Sequence, residues 1–523
     1  MSAANGGRAD GLVEQPAVNP SRVLAHHADR RGGALALAGN GSQMTWAQLH
    51  ERVKTTAGAL ATAGARRGDV VGVLLHNDIR FVELMYACAH IGAVLMPLNW
   101  RLAGPELNYI VNHARTRLLI SEPELAELVE AAGELCCDGV IGLLPHEGWT
   151  ELDALGAAAE PIEAPVEVAG DDMARLMYTS GTTSRPKGVM ITFANLEAKN
   201  LAHTVEFGFT AAHRNLVCGP LYHVGGLDMV TTSMLQVGGE SHILRRFDAA
   251  QALDAIERLR ITHVWMAPVM INSVLADPSL GERDLSSVLL LSDGGEKMPL
   301  PLIERVLAAF PNAWFADGYG MTETVSGDTF LDKRLTTHKL GSVGRPVCNA
   351  EVRIVDEDDR PVPPNTPGEI VMRGPKVCKG YIYDEETTAI ALRGGWLHTG
   401  DIGMLDEDGY LFIVDRLKDM ILSGGENIAS SEVERVLYEH PAVSEVAVVG
   451  RPDERWGEAP VAYVVARGEA VPSPDELTAF CRERLSGYKV PKGFRFVDEL
   501  PRNPSGKVLK RALREREQAE VVA

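Results

Sequence analysis

Helical patterns alternate with short apolar runs through roughly the first 340 residues, and this alternation restricts the fold more than any other feature of the chain. Segments such as MTWAQLHERVKTTAGALATAG carry apolar residues at helical spacing, whereas VVGVLL, HILRRF, ITHVWMAP and SSVLLLS are short and suit strands. Strand and helix in regular succession predict an α/β architecture with substantially parallel sheet. The stretch FVELMYACAHIGAVLMPL sets Phe81, Leu84, Met85 and Cys88 at helical spacing and predicts a buried helix packed on a sheet. With 523 residues the chain exceeds what one hydrophobic core organises, so two or more domains are expected.

Past residue 340 the texture changes to short strand-like pieces punctuated by Gly, Pro and Asp, as in AEVRIVDEDDRPVPPNTPGEIVMRGP and DEDGYLFIVDR. A β-rich subdomain is expected there. After Asp415 a new pattern begins: helix SSEVERVLYEH, strand SEVAVVG, strand APVAYVVA, helix DELTAFCRERL and strand FRFVDEL. The expected organisation is a loose polar tail over 1–17, a large N-terminal domain over 18–414 with mixed and parallel sheets plus the β-rich subdomain, and a small α/β domain over 415–523.

Composition excludes some functions. A formal charge of −20 opposes docking on nucleic acid or an anionic membrane. Seven cysteines without CxxC spacing fit a reduced, cytoplasmic protein, and Cys136 and Cys137 are expected to be structural. No stretch of eighteen residues is apolar, and the first residues lack the apolar core of a signal peptide. The spacings GxSxG and HExxH and paired-cysteine zinc sites are absent.

Chemistry concentrates in YTSGTTSRPKGVMIT, residues 178–192, where hydroxyls and glycines gather around Lys187. The apolar ARLMYTS before it reads as a strand feeding a loop. Such loops turn backbone N–H groups and hydroxyls toward phosphate oxygens while a lysine supplies charge. Gly181 and Lys187 do not have Walker spacing, so any phosphate cradle here has a different geometry. A surface turn rich in small polar residues would read the same way in isolation.

Further blocks decide between the two. TSGTTSRPKG resembles the phosphate loop of the adenylate-forming superfamily, which includes acyl-CoA synthetases, amino-acid adenylation domains and insect luciferases. DGYGMTET (317–324), GEIVMRG (368–374), GWLHTGD (395–401), DRLKDMILSGGENI (415–428) and PRNPSGK (501–507) resemble its later blocks in the same order.

The resemblance implies ATP, Mg2+ and CoA as cofactors and the following site. Thr179, Ser180, Gly181, Thr182, Thr183 and Lys187 would hold phosphates. Gly318 and Tyr319 would hold the adenine, with Tyr319 stacking on it, and Thr322 would contact phosphate. Glu323 would be the magnesium-associated acid. Asp401 would accept the ribose hydroxyls, with Arg416 beside it, and Asp415 would be the hinge of a mobile C-terminal domain. Lys507 would bridge the carboxylate and the α-phosphate. Ser423, Gly424 and Gly425 would face the pantetheine thiol. PLYHVGG (220–226) resembles the block at the acyl pocket, placing His223 among the catalytic residues. Val224, Gly225, Gly226, Gly294, Gly295 and Gly320 would line that pocket.

Amino-acid adenylation domains usually carry an aspartate in the PLYHVGG block, whereas Val224 follows His223 here, which argues against an α-amino acid. The glycines leave little bulk and favour a bulky or elongated hydrophobic acid, aromatic or polycyclic, unless they serve only turns. There are three departures from the family pattern: Ser184 for the usual Gly of the phosphate loop, Leu422 for the Lys of coumarate-type ligases and luciferases, and Ala429-Ser430 for Tyr-Pro. The expected reaction is ATP-dependent activation of a carboxylic acid to acyl-AMP, then thioester formation with CoA. The rival expectation is delivery of acyl-AMP to a separate acceptor. Homodimers are frequent in the family.

Overall fold

The computed structural model describes residues 17–179, 185–294, 298, 300–423, 426–453, 455–468, 471–502 and 507–522. Two seven-stranded sheets dominate it. One runs Thr150–Glu151, Val140–Gly142, Leu118–Ser121, Val70–Leu74, Val94–Pro97, Met173–Thr179, Lys187–Thr192. The other runs Trp314–Ala316, Leu290–Ser292, His263–Trp265, Arg214–Val217, Glu240–Ile243, Leu35–Gly39, Ser42–Thr45. Each sheet is parallel except for its last strand, which pairs antiparallel. The expected alternation of strand and helix is therefore observed, with a hairpin closing one edge of each sheet.

Buried on both faces, such strands become near-continuous apolar runs, as VVGVL in Val70–Leu74 shows. The helices Trp46–Thr62 and Ile79–Ile91 share one core with both sheets: Trp46, Phe81, Leu84 and Cys88 pack in it with Val71 and Ile120 of one sheet and Leu37 and Ile243 of the other. Thr45 caps the first helix, reciprocally with Gln48, and Asp78 caps the second through Arg80 N–H. Gly92 ends the second at φ +69°.

Beyond these sheets lie a three-stranded antiparallel sheet (Gly318–Met321, Ser326–Phe330, Arg345–Pro346) and a four-stranded one (Glu351–Val355, Gly368–Arg373, Leu397–Leu405, Leu411–Arg416). These form the β-rich region. A five-stranded sheet is built entirely after Arg416, with Gly457–Ala466 at its centre and helices Ser430–Tyr438 and Pro474–Arg482 in its core. The final helix, Lys510–Val522, places Leu513 against Val449 and Val461 of that sheet. Cys136 is exposed and Cys137 half-buried, and neither is in a disulfide.

A charged cluster lies inside the large region. Arg175, on Met173–Thr179, pairs with Asp228 at 2.5 Å, and the two side chains are 2% and 0% exposed. The Lys199 ammonium, fully buried, donates to the Asp228 carbonyl at 2.7 Å and to Asn200, Thr232 and Ser233 side chains. Burial pushes Lys199 down to about 7, against the pull of Asp228. Lys376 pairs with Asp328 at 2.9 Å. His203 sits between the Met229 and Gly327 carbonyls and is kept neutral by burial and by the nearby lysines.

Removing one partner of a buried pair strands the other charge. Asp228→Asn should lower stability by about 3–5 kcal/mol in urea titration, and the double change Asp228→Asn with Arg175→Met should recover part of that loss.

Candidate active site

Thr179 and Lys187 face each other across the hairpin that ends Met173–Thr179, so the strand pairing closes the base of the hydroxyl-rich loop. Ser180, Gly181, Thr182, Thr183 and Ser184 lie outside the described residues. So do Gly295, Gly424 and Gly425. Lys187 reaches over the ring of Tyr381, its Nζ 5.3 Å from the centroid. The Tyr381 hydroxyl in turn donates to Glu323 Oε1 at 2.8 Å.

Glu323 belongs to a short helical turn, Thr322–Thr324, at the end of the strand Gly318–Met321. Burial raises its carboxyl pKa, opposed by the Tyr381 hydrogen bond. A buried carboxylate beside the Thr322 hydroxyl is a hard-oxygen donor set of the kind that holds Mg2+ together with phosphate oxygens and water. These residues fit the ion.

Tyr319 donates to Asp401 Oδ2 at 2.6 Å. On the other side Arg416 Nε lies 3.4 Å from Asp401 Oδ1, and the two residues are cross-strand partners. Local geometry aims Asp401: Gly400 has φ +69°, its N–H donates to Glu369 Oε1 at 3.1 Å, and the Asp401 N–H donates to Thr399 Oγ1 at 3.1 Å. Glu369, inside GEIVMRG, also takes His398 Nδ1 at 2.8 Å. Nothing in the local pattern of GEIVMRG marks Glu369 for this part, which depends on residues about thirty positions away.

His223 precedes a single π-helical turn, Gly225–Met229. Its Nδ1 accepts the Gly225 N–H at 3.0 Å, which leaves the ring proton on Nε2. Burial, and next the Lys507 ammonium, hold its pKa down to about 4, so the ring is neutral at pH 7. The Lys507 ammonium is thus within electrostatic range of the His223 ring.

Two of the glycines expected at the acyl pocket, Gly225 and Gly226, are closely packed. A Cβ on Gly225 would strike the Trp265 ring at 2.4 Å, and one on Gly226 the Pro220 carbonyl at 2.3 Å. The room they leave is filled by Trp265 and by backbone. Val224 is buried beside them, at 5% exposure. Trp265 stacks with His223 at a centroid distance of 6.4 Å. A Cβ on Gly320 would meet the Ser326 carbonyl at 2.6 Å, and one on Gly318 the Phe330 ring. Gly294 adopts φ +151°, and the Gly318 carbonyl stands 3.3 Å from where its Cβ would be.

Asp415 is clamped rather than loose. Its Oδ2 accepts the N–H and the hydroxyl of Ser430, at 2.5 and 2.7 Å, and its Oδ1 accepts the Arg416 N–H. Ser430, one of the departures from Tyr-Pro, supplies an N–H that proline lacks. Lys510 donates to the same Ser430 hydroxyl at 2.7 Å and pairs with Glu434. Ser423, in the strand Ile421–Ser423, is 6% exposed, whereas Leu422 is 54% exposed.

Comparisons with known proteins identify the family. Residues 24–382 match the family model described as AMP-binding enzyme, and residues 432–507 the one described as AMP-binding enzyme C-terminal domain. A feruloyl-CoA synthase of Amycolatopsis sp is 43% identical over 97% of this chain and 99% of its own. A fatty acid–[acyl-carrier-protein] ligase, ScoC of Streptomyces coeruleorubidus, is 36% identical over 95% and 96%. The structure of o-succinylbenzoate CoA synthetase from Bacillus subtilis, in complex with its acyl-adenylate, superposes with a TM-score of 0.84 at 34% identity, covering 96% and 98%. The chain belongs to the AMP-binding enzyme family, as an ATP-dependent acid–CoA ligase that forms an acyl-AMP and then a thioester.

Proposed function

We propose that the acid is a bulky aryl acid of the substituted cinnamate kind and that two groups of side chains divide the chemistry. Supporting the division, the Lys507 ammonium lies within electrostatic range of His223 and adds to the effect of burial in lowering its pKa. A carboxylate and an α-phosphate repel by about 4 kcal/mol at 4 Å in an effective dielectric near 20. Lys507 offsets this repulsion, and the His223 Nε2–H donates to an oxygen of the same anions. Lys187, Thr179 and Thr322 contact the outgoing phosphates, Glu323 holds Mg2+, and Tyr319, Asp401 and Arg416 seat the nucleoside. The ion supplies positive charge to the leaving pyrophosphate. No protein nucleophile is needed, because AMP is itself the leaving group in the second half.

Supporting the aryl reading, Trp265 contributes an apolar wall next to His223, and its buried indole N–H has no hydrogen-bond partner among the described residues. Such a donor suits a ring oxygen, phenolic or methoxy, on the acid. The 43% identical relative is a feruloyl-CoA synthase. A second reading, transfer to a carrier protein instead of CoA, is favoured by the likeness to ScoC. Domain rotation about Asp415 would serve either acceptor, exchanging Lys507 for the face around Ser423.

Three outcomes are expected. Lys507→Ala should cut pyrophosphate release about 10²-fold or more while sparing thioester formation from supplied acyl-AMP; equal loss in both assays refutes the role. A neutral His223 predicts no inflection from this group between pH 5.5 and 7.5, since protonation begins only as pH falls toward about 4. A limb near pH 6.5 that vanishes in His223→Gln would show a charged ring instead. Across acetate, octanoate, benzoate and ferulate, initial rates of acyl-CoA formation should favour the aryl acids, and a preference for acetate would sink the assignment.

A further inference from the structure

The turn that carries Glu323 is held in a costly backbone conformation. Val325 has φ +56° and Ser326 φ +88°. For non-glycine residues such angles cost on the order of 1–3 kcal/mol each and persist only when neighbours impose them. The segment 376–382 holds the residues on either side of this strained pair, Glu323 and Gly327. The Cys378 N–H donates to the Glu323 carbonyl at 2.7 Å, and the Lys376 ammonium to the Gly327 carbonyl. The Tyr381 hydroxyl donates to Glu323 Oε1 at 2.8 Å.

The same segment is stitched to the strand Lys187–Thr192. Lys379 N–H donates to the Met190 carbonyl, Met190 N–H to the Gly380 carbonyl and Ile382 N–H to the Gly188 carbonyl, at 2.9, 2.9 and 2.8 Å. Tyr381 is thereby fixed with its ring under Lys187 Nζ, 5.3 Å from the centroid, while its hydroxyl faces Glu323. One side chain thus meets an anion on a helical turn and a cation on a strand of another region.

We propose that Tyr381 is a positioning residue for the adenylation half-reaction. Its hydroxyl holds one Glu323 oxygen so that the carboxylate keeps a single orientation toward a divalent cation, and its ring face seats the Lys187 ammonium at a set distance from that cation. The inference rests on the reading of Glu323 as the Mg2+ acid and of Lys187 as a phosphate contact, and adds the group that ties them together. An outer partner of this kind typically changes metal affinity about 10- to 100-fold when removed.

The test uses the full-length protein and calorimetric titration of a non-hydrolysable ATP analogue over a series of Mg2+ concentrations. Tyr381→Phe keeps the ring and removes the hydroxyl. It should raise the Mg2+ concentration for half-maximal binding about 10-fold or more, leaving binding of the analogue without Mg2+ unchanged. Tyr381→Leu removes the ring as well and should also weaken binding without Mg2+. Both variants should retain thioester formation from supplied acyl-AMP, which shows that they fold. Glu323→Gln, run in parallel, separates the two levels. If Glu323→Gln shifts the Mg2+ requirement and Tyr381→Phe does not, the role of Tyr381 is overturned while the reading of Glu323 stands. If neither shifts it, Glu323 is not the metal's acid and both fall.

Discussion

Putting charge where water cannot reach it is the constraint on which this structure turns. Arg175 with Asp228, Lys376 with Asp328, and the fully buried Lys199 occupy the interior together. Desolvation of each ion costs several kcal/mol unless partners surround it. The partners come from elements that each lead into the site: the strand before the phosphate loop, the turn after His223, the strand after Glu323 and the segment before Tyr381. Satisfying the buried charges therefore fixes the relative position of those elements. Stability and site geometry share one set of contacts.

The site built on this floor separates its charges by job. At one end Asp401 is gripped by Tyr319 and by Arg416; at another Glu323 is gripped by Tyr381. On the proposed assignment, a chain with formal charge −20 would present Lys187, Arg416 and Lys507 locally to its polyanionic substrates, although its long-range field repels them.

Much of this was legible in the sequence because it is local. The alternation of VVGVLL-type runs with helical spacing gave parallel sheets, and ARLMYTS gave the strand before the loop. The small α/β pattern after Asp415 reappears element by element. What escaped is set by distance along the chain. Tyr381 meets Glu323 across 58 positions and Arg175 meets Asp228 across 53, with no periodicity to announce either. The strand Lys187–Thr192 went unread because its residues looked like the tail of a loop motif. Gly225 and Gly226 were legible as small residues, but whether a missing side chain leaves a cavity or admits a tryptophan depends on Trp265, some forty positions away. Ser430, seen only as part of the Ala429-Ser430 departure, proved to be a donor to Asp415, and Ser431 after it donates to the Val414 carbonyl.

The ladder between Leu397–Leu405 and Leu411–Arg416 has Asp401 and Arg416 as its outermost pair, and the chain leaves the sheet at that rung. On the proposed assignment these two side chains hold the sugar of the nucleotide, so the ligand is gripped at the exit point of the smaller domain. The nucleotide would then stay seated on the last rung of that sheet while the smaller domain turns beyond it, so that one bound adenylate would serve both half-reactions.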